Sequence, residues 1–164
     1  MRNEAVSIRE YKPSDKEAVV EITQCAWVNV TLWKMIEDQY GMRGEKPWWR
    51  HKLEPILKFS ETNPNQFFVA ELEGNVVGYA MYSINTETKI GRVLDNAVSP
   101  DSSGQGIGGI LHRKVLNAMK DSGMEIAKVA TGTDDAFAPA RKLYERHGFK
   151  EVQRKVDYLC PLSD

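Results

Sequence analysis

The sequence predicts an α/β (α+β) fold, with a mixed, mostly antiparallel central sheet of about six to seven strands flanked by helices. Three observations carry this. Period-two apolar runs crowd the middle of the chain, and two of them are joined by Glu73-Gly74-Asn75, a good hairpin connection. Helical periodicity alternates with strand-like runs after residue 98. No repeat, low-complexity tract or Pro/Gly/Ser linker divides the 164 residues, so one domain spanning 1–164 is expected.

The elements follow in order. Val6–Tyr11 alternates as a strand, and Pro13-Ser14-Asp15 supplies cap residues for a helix whose face holds Ala18, Val19, Ile22, Ala26 and Trp27. Between Val28 and Pro64 the breakers Gly41, Gly44 and Pro47 predict one or two short helices and a loop, rich in tryptophan. Gln66–Leu72 and Val76–Tyr82 read as the hairpin strands. Arg92–Val98 is a further strand ending before Pro100; strict alternation puts Arg92, Leu94, Asn96 and Val98 on one side and Val93, Asp95 and Ala97 on the other. A helix from Ile107 to about Lys120 carries an apolar stripe of Ile107, Ile110, Leu111, Val115, Ala118 and Met119. Ala127–Gly132 reads as a strand, and about Ala136–His147 as a helix closed by Gly148 at C′. Val152–Leu159 is apolar enough to finish the sheet as one strand or a hairpin.

Composition narrows the function. Hydrophobic residues are 41% and charged residues 27%, enough for a packed core. With 22 basic and 23 acidic side chains the formal charge is −1, which gives no global pull toward nucleic acid or an anionic membrane. No apolar run approaches the ~20 residues of a membrane span. The opening MRNEAVSIREY has no signal-peptide core, so a cytoplasmic location is expected. Cys25 and Cys160 form no CxxC or metal spacing and are expected as free thiols. No metal is expected, because no His/Asp/Cys cluster stands at ligand spacing.

The most informative stretch runs from Val98 to Leu111, VSPDSSGQGIGGIL, a strand entering a glycine-rich turn that opens a helix. This order aims several backbone N–H groups and the positive end of the helix dipole at one point, a site for anionic oxygen such as phosphate. Read literally, Gly104-x-Gly106-x-x-Gly109 is a dinucleotide fingerprint, which would make an NAD(P)-binding oxidoreductase. Its context disagrees, since that motif belongs after the first strand of a doubly wound sheet. The P-loop pattern fails as well, for no Gly-Lys-Ser/Thr follows.

With Gly106-x-Gly108 as its core, V-x-P-x-x-x-G-x-G-I-G resembles the GCN5-related N-acetyltransferase (GNAT) family. A second block, Ala140-Arg-Lys-Leu143-Tyr144-Glu-Arg-His-Gly148-Phe149, is similar to that family's A-x-x-L-Y-x-x-x-G-F signature. Order and separation of the blocks match too, as does the Ile8-Arg9 strand followed by Asp15. The resemblance covers roughly Gln66–Phe149 best. It implies an acyl-CoA N-acyltransferase-like fold and an acetyl-CoA-dependent N-acetyltransferase domain. The acceptor would be a primary amine of a small molecule or peptide. Family members often form homodimers.

Residue by residue, the resemblance implies that Ser103, Gly104, Gln105, Gly106, Ile107, Gly108 and Gly109 hold the pyrophosphate, and that Asn96, Ala97 and Val98 pair with the pantetheine arm. Phe137 and Ala140 fall on cofactor positions, and Tyr144 on that of a general acid for the departing thiolate. Two departures stand out. Ser103 replaces a frequent Arg or Gln, which leaves Arg113 or Lys142 to supply charge, and Phe137 replaces a frequent Asn. For the general base Asp95 leads, with Glu71, Glu37 or a water chain as alternatives. His51, His112 and His147 titrate in a suitable range, but His112 and His147 read as surface positions. The family's acceptor site falls in the first helices, where Trp27, Trp33, Tyr40, Trp48 and Trp49 stand. Core packing plus a lid is the first reading for most of them, and an aromatic-walled amine pocket that includes Trp27, Trp33 and Tyr40 is the sharper one. A non-catalytic acyl-CoA-binding module remains the alternative.

Overall fold

In the computed structural model, residues 6–162 are described; the first five residues, part of the opening segment read above for a leader, and the last two lie outside them. The chain divides into two units, Met1–Ala130 and Thr131–Asp164.

The first unit is built on a five-stranded sheet of order β1-β2-β3-β4-β5, formed by Ser7–Glu10, Phe67–Leu72, Asn75–Asn85, Ile90–Val98 and Ile126–Lys128. The first three pairings are antiparallel and β4–β5 is parallel. That mixture excludes the doubly wound parallel sheet a dinucleotide fingerprint requires. The β2–β3 hairpin turns on Glu73 and Gly74, both at positive φ (53° and 79°), the type I′ geometry that matches strand twist.

Helices cover both faces. On one, α4 (Ile107–Asp121) buries Ile107, Leu111, Val115 and Met119, a strict i+4 series, against Phe68, Ala70, Ala80, Tyr82 and Val93. The stripe is rotated from the expected one: Ile110 is 40% exposed, while His112 is 2% exposed. On the other face, α1 (Lys16–Trp27) and α3 (Trp48–Thr62) pack Val19, Ile22 and Ile56 against Phe67, Val69, Tyr79 and Met81. The region expected as one or two short helices holds α2 (Leu32–Tyr40) and the longer α3, which continues through Pro55.

The strict alternation expected for β4 does not hold. Ala80 pairs with Asn96 but Tyr82 with Val93, so Leu94 and Asp95 together oppose Met81 in a β-bulge. Val93 therefore joins the α4-side core and Ala97 the α1/α3-side core, although their parity is the same.

The second unit contains one 3-10 turn, Asp135–Phe137, and α5 (Ala138–Arg146). Gly148 at φ 86° ends the helix: Phe149 N–H reaches the Tyr144 carbonyl at 3.1 Å and Gly148 N–H that of Glu145 at 3.0 Å, a Schellman closure. The expected strand at Val152–Leu159 is not formed. Its charged residues pair locally, Arg154 with Glu151 at 2.7 Å and Lys155 with Asp157 at 3.3 Å, and its side chains are exposed. The described residues thus hold five strands, fewer than the six to seven expected, and the strand expected over Ala127–Gly132 shortens to β5.

Candidate active site

The parallel register of β4 with β5 stops at Arg92↔Lys128, while β4 continues to Val98. Beyond that point the strand runs toward the glycine loop. Ser99 N–H bonds to the Val77 carbonyl at 2.8 Å, a 3-10 turn covers Pro100–Ser102, and residues 103–106 lie exposed. Gly104 and Gly106 take φ values of 79° and 78°, a left-handed conformation in which a side chain is strained. Gly106 caps α4. The first bonds within the helix run from Gly109 and Ile110 N–H to the Gly106 carbonyl, at 3.0 and 3.2 Å. Ile107 and Gly108 N–H groups precede them, at the positive end of the helix.

Strand end and helix start meet at a narrow cleft open to solvent, lined by Asn96, Ala97, Val98, Gly108 and His112, together with Tyr79. Three predicted cofactor residues on the strand and one on the helix are therefore adjacent in space. His112, expected on the surface, is buried on this cleft wall; its position one turn after Gly108 is the signal that the charge flanking it obscured. The Thr23 hydroxyl donates to the Val19 carbonyl at 2.7 Å, so the Tyr79 hydroxyl is the donor in its 2.9 Å bond to Thr23. Burial above all, with the Asp95 charge in the same direction, pushes the Tyr79 phenol up and keeps it protonated.

Asp95 accepts an ion-paired hydrogen bond from Lys52 Nζ of α3, and that nitrogen stands 3.7 Å from the centroid of the Trp27 ring. Sequence reading missed Lys52, which no local pattern marks. The other candidate bases are engaged too. Glu71 accepts from Arg9 Nε at 2.8 Å, and Glu37 from the Trp48 N–H at 2.6 Å, where it caps α3.

The predicted aromatic wall separates. Trp33 stacks on His51 with centroids 4.1 Å apart, in a shallow surface depression whose lining includes Trp48 but neither Trp27 nor Tyr40. The Tyr40 carbonyl receives Arg43 Nη2 at 2.6 Å. Trp48 is buried and Trp49 half-buried.

Within the second unit, Tyr144 is 7% exposed, with its ring 6.0 Å from that of Phe149. Phe137 lies so close over Gly132 that a Cβ there would stand 2.3 Å from its ring. Arg141 bonds the carbonyls of Gly132 and Asp134 at 2.8 and 2.7 Å, which fixes the turn before Ala140. Cys25 and Cys160 are exposed free thiols. Among the described residues no group of side chains is arranged to hold a metal, and no helix is long and apolar enough to cross a membrane.

Comparison with known proteins gives a consistent picture. The family described as Acetyltransferase (GNAT) matches residues 29–149, across both units. The chain is 28% identical over 158 residues to a mycothiol acetyltransferase of Streptomyces coelicolor, covering 95% of this chain and 46% of that protein. An N-alpha-acetyltransferase of Sulfurisphaera tokodaii is 36% identical over 108 residues, 60% of this chain and 64% of that one. Among solved structures, the PaiA N-acetyltransferase of Thermoplasma acidophilum in complex with coenzyme A superposes with a TM-score of 0.73 at 19% identity, covering 92% and 93% of the two chains. The chain spans about half the length of the mycothiol acetyltransferases it matches.

Proposed function

Because the chain belongs to the GNAT acetyltransferase family, we propose that it moves an acetyl group from acetyl-CoA to a primary amine of a small molecule or peptide, with residues 29–149 acting as one catalytic domain. The observation that carries this reading is the junction of β4 with α4, where Asn96–Val98 and Gly108 line one cleft at a helix N-terminus. The N–H groups of Gly104–Gly109, with the Ser103 hydroxyl, suit a pyrophosphate. The backbone of Asn96, Ala97 and Val98, past the end of the β5 ladder, suits an amide-bearing arm.

Acetyl-CoA supplies the activated acyl group as a thioester. An N–H of the Asn96–Val98 segment polarises the thioester carbonyl. The amine nitrogen bonds to the carbonyl carbon, the C–S bond breaks, and the Tyr144 hydroxyl protonates the departing sulfur. Reference pKa values of ~10 for the phenol and ~8.5 for the thiol make that transfer feasible without extreme tuning. The amine's proton goes to Asp95 directly or through water, since Lys52 holds one of the carboxylate oxygens. Phe137 and Ala140 flank the cofactor in this reading by their match to the family's second block.

A second reading, a non-catalytic acyl-CoA-binding module, draws on one observation: Asp95, Glu71 and Glu37 are all already engaged. Titration calorimetry with acetyl-CoA, followed by thiol release over a panel of primary amines, separates the two. Catalysis predicts both, with Tyr144→Phe lowering kcat by about 10²-fold and leaving acetyl-CoA affinity unchanged. Binding without thiol release from any amine supports the module. Binding of NAD in place of acetyl-CoA defeats both.

A further inference from the structure

Three elements converge on the α1/α3 side of the sheet. Trp27 is the last residue of α1, Lys52 lies in the second turn of α3, and Asp95 is carried to this side by the β4 bulge. Lys52 Nζ is hydrogen-bonded to Asp95 Oδ1 and stands 3.7 Å above the Trp27 ring centroid. The two charged side chains retain 18% and 27% of their exposure, so the pair is shielded yet within reach of solvent. A carboxylate combined with an aromatic face is a recognition site for an ammonium ion, because the charge accepts the N–H donors and the ring's negative face attracts the cation. Its occupant here is a primary ammonium on an unbranched alkyl stem.

We propose that Trp27 and Asp95 form a binding site for a primary alkylammonium group, which Lys52 fills until an acceptor displaces it. The inference rests on the acetyl-transfer reading for its consequence. Asp95 immediately precedes Asn96–Val98 in β4, so an ammonium held on its carboxylate is anchored to the same strand as the segment proposed to hold the acyl arm. The acceptor class is then an unhindered primary alkylamine, such as a lysine side chain or a short aliphatic diamine. An arylamine has no ammonium at neutral pH to exchange with Lys52. Lys52 acts as a tethered competitor, and its high local concentration sets the threshold an acceptor must exceed.

The test is direct binding without acetyl-CoA. n-Butylammonium is titrated calorimetrically into the wild-type chain, Lys52→Met, which keeps an apolar stem and removes the charge, and Lys52→Met/Asp95→Asn. The expected result is binding at least about tenfold tighter to Lys52→Met than to wild type, a gain abolished by the added Asp95→Asn. Tetramethylammonium, which has no N–H to donate to Asp95, should gain less. Equal affinity of wild type and Lys52→Met, or a gain that survives Asp95→Asn, overturns the proposal and makes the Lys52–Asp95 pair purely structural. Should Lys52→Met fail to fold by circular dichroism, Lys52→Gln carries the same comparison. Because no acetyl donor is present, failure here leaves the acetyl-transfer reading untouched, and failure of acetyl-CoA to bind leaves this result standing.

Discussion

Gly106 shows how much of the proposed phosphate cradle rests on one residue. It holds φ 78° at the helix cap, and the space where a Cβ would stand is open, with nothing within 4 Å. Alanine there meets only conformational strain in the free protein, about 1–2 kcal/mol for a left-handed residue. A bound pyrophosphate would meet the added methyl as well. Gly106→Ala is therefore expected to lower Tm by a few degrees and to weaken acetyl-CoA by about tenfold or more, as read by thermal unfolding and calorimetry. A loss of stability with unchanged affinity would remove the cradle from the proposed site. Residue types at close spacing made this loop legible, since four glycines between a strand and an amphipathic helix have few other uses. Lys52 was not legible: its partner Asp95 is 43 positions away, and only the fold brings the two together.

At the level of elements, α4 can lie close to the sheet because two strand positions lack side chains. A Cβ at Gly78 would stand 3.2 Å from Leu111 Cδ1, and one at Gly91 would stand 2.6 Å from Met119 Sδ and 2.9 Å from its Cγ. Leu111 and Met119 are two turns apart, so these glycines set the seating of the helix that carries the proposed cradle at its start. Met119 is 2% exposed, so its side chain yields only by shifting against the core around it. Gly91→Ala should cost about 1–3 kcal/mol by denaturant unfolding, and much less in a Met119→Ala background, where the clash is relieved. Additive effects of the two changes would show that the helix does not press on this strand. The hydrophobic pattern located α4 itself but misjudged its rotation, exchanging Ile110 for His112, because the helix is aligned by contacts with Gly78 and Gly91 on strands distant in sequence. The bulge in β4 was hidden for a related reason. Alternation is a local rule, and an extra residue becomes visible only against the register of the partner strand.

On the scale of the whole molecule, the family match runs across both units, and the sequence signals were strongest where backbone geometry demands particular residues. They were weakest in Val152–Leu159, where apolar content suggested a strand and interleaved charges pair among themselves instead. A tie that the sequence reading did not mark joins the start of the first helix to the sheet. Arg9 of β1 forks onto Asp15 at 2.7 and 2.9 Å and bonds Glu71 of β2 at 2.8 Å, while Lys12 N–H adds a 2.8 Å bond to Asp15. Burial works to raise the Asp15 pKa, but the Arg9 hydrogen bonds, the Lys12 N–H and their charges outweigh it and hold the carboxyl below its ordinary range. A carboxyl depressed in the folded state contributes stability that is complete above its unfolded value near ~4 and is lost as pH falls through the folded value. Asp15→Asn should then lose about 2–3 kcal/mol at neutral pH, a Tm drop of several degrees. The gap between variant and wild type should narrow steadily below about pH 4, as protonation removes from the wild type the charge the variant already lacks. A gap that stays constant from neutral pH down through the acid range would mean that the Arg9 fork stabilises the fold by shape and packing, with the Asp15 charge contributing nothing.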